Sequence, residues 1–122
     1  MKERSVSSDV VHVNLSFLKG WQVVETLSFH SEPGEMVWIG FEAFAAGEYM
    51  VLQLDVTGHG VIEETVAVIN GGGTVGGGWL GVEARATTTA VRLLASGKGL
   101  VSRRVLHITD RVPTGPVGSI GA

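Results

Sequence analysis

Glycine is the residue that most constrains this chain, because it is abundant and recurs at short intervals. Eighteen of the 122 residues are glycine, and they separate segments in which apolar and polar side chains alternate. In the interior of a helix, each glycine costs about 1 kcal/mol relative to alanine. Short strands joined by tight turns tolerate this spacing, and no segment offers a convincing helix. The glycine distribution therefore predicts an all-β protein.

Alternation with a period of two residues marks the individual strands. The clearest case is residues 49–57, where one face carries only apolar side chains: Met50, Leu52, Leu54 and Val56. Gln53 and Asp55 lie on the other face. Residues 36–44 are apolar on both faces, which predicts a central strand covered on both sides. Eight such segments predict an eight-strand antiparallel β-sandwich of the jelly-roll type.

The chain length leaves room for one domain with one core. Residues 1–9 are polar, and we expect them to form a flexible N-terminal arm. Residues 10–111 are predicted to form the sandwich, with turns at 45–47 and 96–99 among those that separate its strands. Residues 112–122 contain two prolines and three glycines, which predicts a flexible tail.

The composition favours a folded domain that covers part of its surface with another molecule. Hydrophobic residues make up 44% and charged residues only 17%, against about 25% charged in average soluble domains. There is no cysteine, so the domain either folds in a reducing compartment or gains stability by assembly. No apolar run follows the N-terminal charges, and residues 65–82 are too rich in glycine for a membrane helix. We therefore expect neither a signal peptide nor a transmembrane segment.

Charge is divided unevenly along the chain. Residues 1–83 carry three basic and eleven acidic residues, a net charge of −8, and residues 84–122 carry six and one, a net charge of +5. Two interpretations stay open: late strands pair with early strands of the same chain, or copies of the chain pack against each other. Arg103, Arg104 and Arg111 belong to the basic part and are candidate partner contacts. Neither nucleic acid nor a membrane is an expected partner.

The motifs that would carry chemistry are incomplete. Gly71, Gly73 and Gly76 match the spacing of a dinucleotide fingerprint, but the glycines that follow would not hold the required helix. The four histidines lack metal-ligand spacing, and we expect His12 and His107 to be exposed or satisfied locally; the others are His30 and His59. Neighbouring Glu63 and Glu64 would point to opposite faces of a strand. We therefore expect no cofactor, no metal and no enzymatic activity.

Aromatic residues are the remaining candidates for ligand contacts, because rings can stack on sugars. The candidates are Trp21, Trp38, Tyr49 and Trp79. Trp38 lies in the most apolar segment, and we expect it in the core. Trp21 and Trp79 each begin a strand beside a glycine, where a ring could be exposed, although burial is the favoured interpretation.

Two segments resemble the galactose-binding-like jelly rolls, including the carbohydrate-binding modules of that superfamily. The segment WIGFEAFAAGEYMVLQLDV is similar to their strand–Gly–strand hairpin. The segment WLGVEARATTTAVRLLASGKGLVSRRVLHITD is similar to their Trp-led strand, Thr-rich turn and closing strands. The resemblance covers residues 38–110 and implies a sandwich fold. It also implies a carbohydrate-binding module as one possible function.

In its size, its architecture and the character of its tail, the chain also resembles the capsid decoration, or cement, proteins of bacteriophage virions. This resemblance implies a non-enzymatic structural protein, a homotrimer that binds a major capsid or other virion protein. It further implies assembly into the virion in the host cytoplasm. Decoration of a virion is the leading hypothesis from the sequence, and the carbohydrate-binding module is the alternative.

Overall fold

A computed structural model describes residues 4–56, 65–70, 74–104 and 106–115. These residues form eight strands and a 3-10 turn at Phe17–Lys19, and the described ranges contain no α-helix. The strands in chain order are β1 (Ser5–Ser7), β2 (Val10–Leu15), β3 (Gln22–His30), β4 (Met36–Val56), β5 (Thr65–Asn70), β6 (Thr74–Glu83), β7 (Thr88–Arg104) and β8 (Leu106–Thr109). Every strand pair is antiparallel.

The long strand β4 belongs to both sheets of a sandwich. Residues 36–45 lie between β6 and β8, and residues 44–56 lie between β5 and β7. The front sheet therefore has the order β1-β8-β4-β6, and the back sheet has the order β3-β7-β4-β5, with β2 continuing the line of β3 along β7. The predicted eight-strand antiparallel β-sandwich is confirmed, and its strand order is compatible with a jelly roll.

Glycines lie where β4 and β7 run side by side through two predicted turns. Gly47 pairs with Gly99, and a register shift follows between Gly47 and Tyr49. Gly97 and Gly99 have φ values of 135° and 137°, which other residues rarely adopt. The turns predicted at 45–47 and 96–99 are therefore wrong. Glycine bends two continuous strands there and does not end them.

The core lies between the two sheets, as the alternation predicts. Leu52, Leu54 and Val56 are fully buried, whereas Gln53 and Asp55 on the outer face are half-buried. The side chain of Met50 lies outside the described part of the chain. Fully buried partners from the other strands include Val37, Ile39, Val91, Leu93 and Ile108. The predicted phase of residues 51–56 is confirmed.

A bulge changes the phase at the start of β3. The register shifts between Val23 and Glu25, so Val24 is buried while Val23 is 47% exposed. Trp21 and Val23 therefore do not share the core face of Phe29, as strict alternation along the strand would require. A bulge inserts one residue on one strand, and every side chain before it then changes face.

The segment predicted as a flexible N-terminal arm contributes a strand to the front sheet. Ser5–Ser7 pairs with β8 over three residues, and the Ser8 amide donates a hydrogen bond to the Leu106 carbonyl at 2.9 Å. Without β1, the outer edge of β8 would leave backbone groups unpaired. Part of residues 1–9 therefore belongs to the sandwich.

Arg4 ties this N-terminal strand to two other parts of the chain. Its Nη1 donates a hydrogen bond to the His30 carbonyl at 2.6 Å, and its Nε donates to Asp110 Oδ2 at 3.3 Å. It also forms an ion pair with Glu35, and its guanidinium lies 5.1 Å from the centre of the Phe29 ring. The hydrogen bond with Glu35 raises the pKa of Arg4, so the charge is always present.

Ion pairs join the early part of the chain to the late part. Arg92 on β7 lies opposite Asp55 on β4, and its Nε donates to Asp55 Oδ2 at 2.9 Å. Arg4 and Asp110 form a second pair between distant segments. Of these two pairs, only that of Arg92 with Asp55 joins an acidic residue of the early part to a basic residue of the late part. That pair supports the interpretation that the uneven charge pairs strands within one chain.

Candidate functional site

The outer face of the front sheet carries two tryptophan rings that lie over glycines. Trp38 on β4 pairs with Gly81 on β6, and Trp79 on β6 pairs with Gly40 on β4. A Cβ on Gly81 would lie 2.6 Å from the Trp38 ring, and a Cβ on Gly40 would lie 2.8 Å from the Trp79 ring. Glycine at both positions therefore lets the rings approach the sheet closely. Both rings are half-buried, so the prediction that Trp38 lies in the core is wrong.

His107 on β8 lies on the same face as Trp79. Gly40 separates them, since it pairs with Trp79 on one side and with His107 on the other. Because Gly40 has no side chain, the two rings meet edge-on, with their centroids 5.9 Å apart. On its other side, His107 Nδ1 is hydrogen bonded to Ser7 Oγ on β1. The imidazole is thus held between β1 and β6.

Although it points away from the core, His107 is only 8% exposed. Its Nε2 is buried and has no hydrogen-bond partner among the described residues. Burial lowers the pKa of His107 below its ordinary value of 6.5, so the imidazole is neutral at pH 7. The sequence prediction that His107 is exposed or satisfied locally is wrong, because a later part of the chain covers it.

Residues 111–115, which we call the covering segment, return across the front sheet after β8. The Arg111 amide donates a hydrogen bond to Thr109 Oγ1 at 3.2 Å. At the other end, Trp79 Nε1 donates to the Gly115 carbonyl at 3.0 Å. The first part of the predicted flexible tail is therefore attached to the sandwich, and residues 116–122 lie outside the described part of the chain.

A cavity of about 180 Å³ lies between the covering segment and the sheet. On the sheet side it is lined by Ser5, His107 and Thr109, and on the other side by residues 111–114. Hydroxyl groups, an imidazole and the Arg111 guanidinium thus stand beside apolar carbon from Val112 and Pro113. A concave surface that combines apolar walls with a few convergent polar groups is typical of a small-ligand site.

A second exposed feature is the junction between β2 and β3 on the back sheet. Phe17 is 59% exposed, Leu18 98%, Trp21 46% and Val23 47%. Ser16 caps the 3-10 turn, because its hydroxyl accepts a hydrogen bond from the Leu18 amide at 3.3 Å. We call these four apolar residues the loop patch. The burial predicted for Trp21 is wrong, since the turn and the bulge leave its ring at the surface.

The structure places the predicted contact residues in several different regions. Trp21 belongs to the loop patch, whereas Trp79 and Arg111 lie at or beside the cavity. Tyr49 lies on β4, opposite Lys98 and Asn70. Arg103 and Arg104 lie on β7, opposite β2. The side chains of Tyr49, Arg103 and Arg104 fall outside the described part of the chain.

Sequence reasoning missed the importance of His107. Its alternation with Leu106 and Ile108 already indicated a position on the outer face of the sheet. No pattern in residues 111–115 indicated that they would fold back over that face. The covering contact depends on Trp79, which is 36 residues from Gly115 in the chain, and such a distant pairing has no local signal.

The metal-ligand and dinucleotide motifs considered from the sequence do not form a site among the described residues. Within the described ranges, no group of three or more His, Cys, Asp or Glu could hold a metal ion. The dinucleotide-like glycines run into strand β6 and not into a helix, and residues 71–73 lie outside the described part. No helix found among the described residues is long and apolar enough to cross a membrane.

Comparison with known proteins shows that the fold of this chain is similar to that of several solved structures. No protein-family model and no curated protein sequence matches the chain. A chain in the structure of infectious bursal disease virus, Gx strain, is similar with a TM-score of 0.50 and 10% identity, over 94% of this chain and 34% of that chain. The corresponding values for the Gt strain are 0.49, 14%, 88% and 32%. This chain therefore spans about a third of the length of those two virus chains.

A third similar structure contains the CBM22-1 and GH10 modules of the Clostridium thermocellum endo-1,4-beta-D-xylanase 10B, complexed with xylohexaose. Its TM-score is 0.40 at 13% identity, over 90% of this chain and 30% of that chain. At such low identities, the comparison with the Gx strain supports the sandwich fold and leaves function to be argued from surfaces.

Proposed function

We propose that this protein is a non-enzymatic structural protein of a virion, a decoration or cement protein that attaches to a larger protein lattice. The observation that carries the proposal is the loop patch. Single exposed apolar residues are ordinary on protein surfaces. Here four large ones fall within seven residues, from Phe17 to Val23, and a concentration of exposed apolar side chains is typical of a protein interface.

The chemistry of the loop patch fits a protein partner. Phe17 and Trp21 are aromatic, and buried aromatic side chains supply much of the energy of protein interfaces. Leu18 is the most exposed of the four and would enter a pocket first. The partner would therefore present an apolar groove that accepts the Leu18 side chain.

The edge of the back sheet beside the loop patch supports the same proposal. In the described residues, β2 and β3 pair only with β7. Their opposite edge presents backbone donors and acceptors that a strand of another protein can pair with. A partner that covers both the edge and the loop patch would bury apolar area and satisfy backbone groups together.

The partners in this proposal are further copies of the chain, as a homotrimer, and a major capsid or other virion protein. Assembly would take place in the host cytoplasm. Ser5–Ser7 and residues 111–115 contact their own sandwich. We therefore assign the lattice contact to the loop patch and the back-sheet edge, with the residues beyond 115 as a further contact.

Three measurements test the proposal. The first is mass spectrometry of purified particles from the source of the chain, in which the protein should occur in many copies. The second is cosedimentation of added protein with particles that lack it, where binding should saturate. Light scattering should give the mass of a trimer. Absence from the particles together with no cosedimentation would refute the proposal.

Matched variants test the role of the loop patch. Leu18→Asp should weaken cosedimentation by at least about tenfold, since it places a charge in the buried centre of the interface. The free energy of unfolding should change by no more than about 0.5 kcal/mol, because the side chain is exposed. Val112→Asp replaces an equally apolar residue that is 61% exposed elsewhere and should attach normally. Equal attachment of all three proteins would exclude the loop patch.

The alternative function is that of a carbohydrate-binding module, and the cavity beside His107 is the observation that favours it. That function predicts a monomer whose tryptophan fluorescence changes when sugar is added. Deletion of residues 112–122 tests each function in its own binding assay. It should weaken a lattice contact made beyond residue 115, and it should abolish a sugar site that the covering segment helps to line.

A further inference from the structure

The covering segment encloses an imidazole on the outer face of the front sheet. His107 is only 8% exposed, although an outward side chain of an antiparallel sheet usually meets solvent. Ser7 engages its Nδ1, and Trp79 meets the ring edge-on. Residues 111–114 line the same cavity as His107, so they lie between this part of the sheet and solvent. The burial of the imidazole therefore depends on a segment that follows the last strand.

This enclosure suits a neutral imidazole and not a charged one. Nε2 is buried and has no hydrogen-bond partner among the described residues. A protonated ring donates from both nitrogens, so a proton would leave a buried, charged N–H without an acceptor. A buried charge without a partner is far more destabilising than a buried neutral group. The covered state is therefore compatible with the neutral imidazole and resists its protonation.

The charged residues on the elements around His107 do not compensate for a proton on its ring. Among the described residues they are Arg4, Glu42, Glu83, Asp110 and Arg111. Arg111 lines the same cavity, but it is itself a cation, and Asp110 is paired with Arg4. Glu42 is only a diagonal neighbour, since Gly40 lies directly opposite His107, and Glu83 lies farther along β6. Burial lowers the pKa of His107, and these carboxylates do not reverse that effect.

The covering segment can separate from the sheet without loss of the core. Hydrogen bonds hold its two ends, from the Arg111 amide to Thr109 Oγ1 and from Trp79 Nε1 to the Gly115 carbonyl. Val112, between them, is 61% exposed, so its separation would uncover little apolar surface. The core lies on the opposite side of the sheet. Opening of the segment would therefore bring water to the imidazole at a smaller cost than unfolding of the sandwich.

From these features we propose that the covering segment is an acid-sensitive latch, which lies over the front sheet while the His107 imidazole is neutral and is released when the imidazole gains a proton. Release would uncover His107 and the Nε1 edge of Trp79. The latch belongs to the front sheet, and the loop patch lies beside the back sheet. The proposal therefore stands whether or not the protein attaches to a lattice.

The direction of the pH dependence follows from the two states of His107. When the segment is released, the imidazole titrates near its ordinary pKa of 6.5, and when it is covered the pKa is lower. Between these two values, each unit of acidification raises the ratio of released to covered molecules about tenfold. Above about pH 6.5 this ratio is independent of pH, and the segment stays in place.

Hydrogen exchange of the indole N–H groups, followed by nuclear magnetic resonance of the full 15N-labelled chain, tests the latch. Gly115 protects the Trp79 Nε1–H, whereas the Trp21 side chain is 46% exposed and reports how pH alone changes exchange. From pH 7.5 to pH 5, the exchange rate of Trp79 relative to that of Trp21 should rise at least about tenfold. The backbone amides of Leu54 and Leu93 should stay protected. An unchanged ratio, or an equal loss of protection at those amides, would overturn the proposal.

Variants assign the response to one histidine. His107→Asn and His107→Gln remove the titrating group, so the relative exchange of Trp79 should be the same at both pH values. His12→Asn replaces an exposed histidine of β2 and should keep the rise seen in the unchanged protein. A rise that persists in both His107 variants, or that disappears in His12→Asn, would place the titration on another group and refute the latch.

Discussion

The two outer faces of this sandwich differ in how far their polar side chains are exposed to solvent. On the front sheet, His107 and Thr109 are 8% and 5% exposed. On the back sheet, Thr26, Ser28 and Arg92 are exposed, as is usual for the solvent side of an antiparallel sheet. Both faces follow the same alternation, so the difference does not come from the strands. It comes from residues 111–115, which cover one face.

This difference shows where binding is expected on a fold that many functions share. A solvated face satisfies its polar groups with water or with surface ion pairs such as Arg92 with Asp55. A covered face must satisfy them internally, and His107 Nε2 has no hydrogen-bond partner among the residues that the structure describes. The front face therefore hides its polar side chains, whereas the loop patch beside the back sheet leaves large apolar side chains exposed.

The largest expected effect lies in the core that both faces share. Leu52 is fully buried, so Leu52→Ala should lower the free energy of unfolding by about 2–5 kcal/mol through the cavity it leaves. Gln53→Ala changes the outer face of the back sheet and should stay within about 0.5 kcal/mol. Urea denaturation measures both. Equal losses would mean that the assignment of faces is wrong.

A smaller effect is expected where the front face depends on a glycine. Gly40→Ala places a Cβ 2.8 Å from the Trp79 ring, and Gly115 and His107 hold that ring in place. Overpacking of this kind typically costs about 1–3 kcal/mol. Gly78→Ala is the matched control, because its Cβ would lie 3.4 Å from the Phe41 ring. Thermal denaturation should show the greater loss for Gly40→Ala, and the reverse order would contradict the close approach.

The pH dependence of stability tests the burial of His107. Its pKa is lowered in the folded state, so the unfolded chain binds a proton more readily as the pH falls through about 6.5. The stabilising contribution of the neutral imidazole is complete above that pH and decreases below it, down to the folded pKa. Urea denaturation at pH 7.5 and pH 5 should show a smaller loss for His107→Asn than for the unchanged protein.

The control for this experiment is His12→Asn, which replaces an exposed histidine on β2. This variant should keep the same loss of stability on acidification as the unchanged protein. If His107→Asn and the unchanged protein lose stability equally, the covering segment does not shield His107.

The smallest effect is expected on the solvated face. Arg92→Ala removes the ion pair with Asp55, in which the Arg92 side chain is 50% exposed. Exposed pairs contribute about 0.2–1 kcal/mol, and salt weakens them. Urea denaturation in low and high salt should show a loss in this range that shrinks as salt is added. A loss comparable to that of Gly40→Ala would remove the contrast between the two faces.

The alternation of apolar and polar residues correctly predicted which side chains face the core wherever a strand is regular. Leu52, Leu54 and Val56 were placed correctly, because a period of two residues follows from strand geometry alone. Strict alternation does not describe Val23, where a bulge shifts the phase, or Phe17, which lies in the 3-10 turn. Both events are decided by pairing with β7 and by capping at Ser16.

Long-range pairing explains the remaining differences. Gly47 and Gly99 appeared to end strands, but each is opposite the other in a continuous ladder. The cavity beside His107 exists because Gly115 returns to Trp79. Neither contact has a signal within its own stretch of sequence, so the sheet could be predicted while the site could not.

The bridge from Arg4 to Asp110 has an engineering consequence. The main-chain amide of Arg4 donates to Asp110 Oδ1 at 3.1 Å, so the chain enters and leaves the sandwich at neighbouring points. Domains of this kind can be inserted into a surface loop of a host protein, or joined end to end and reopened elsewhere, without disturbing the core. Residues 4–110 could thus be inserted as a unit into a host protein, which would then display the loop patch without the covering segment.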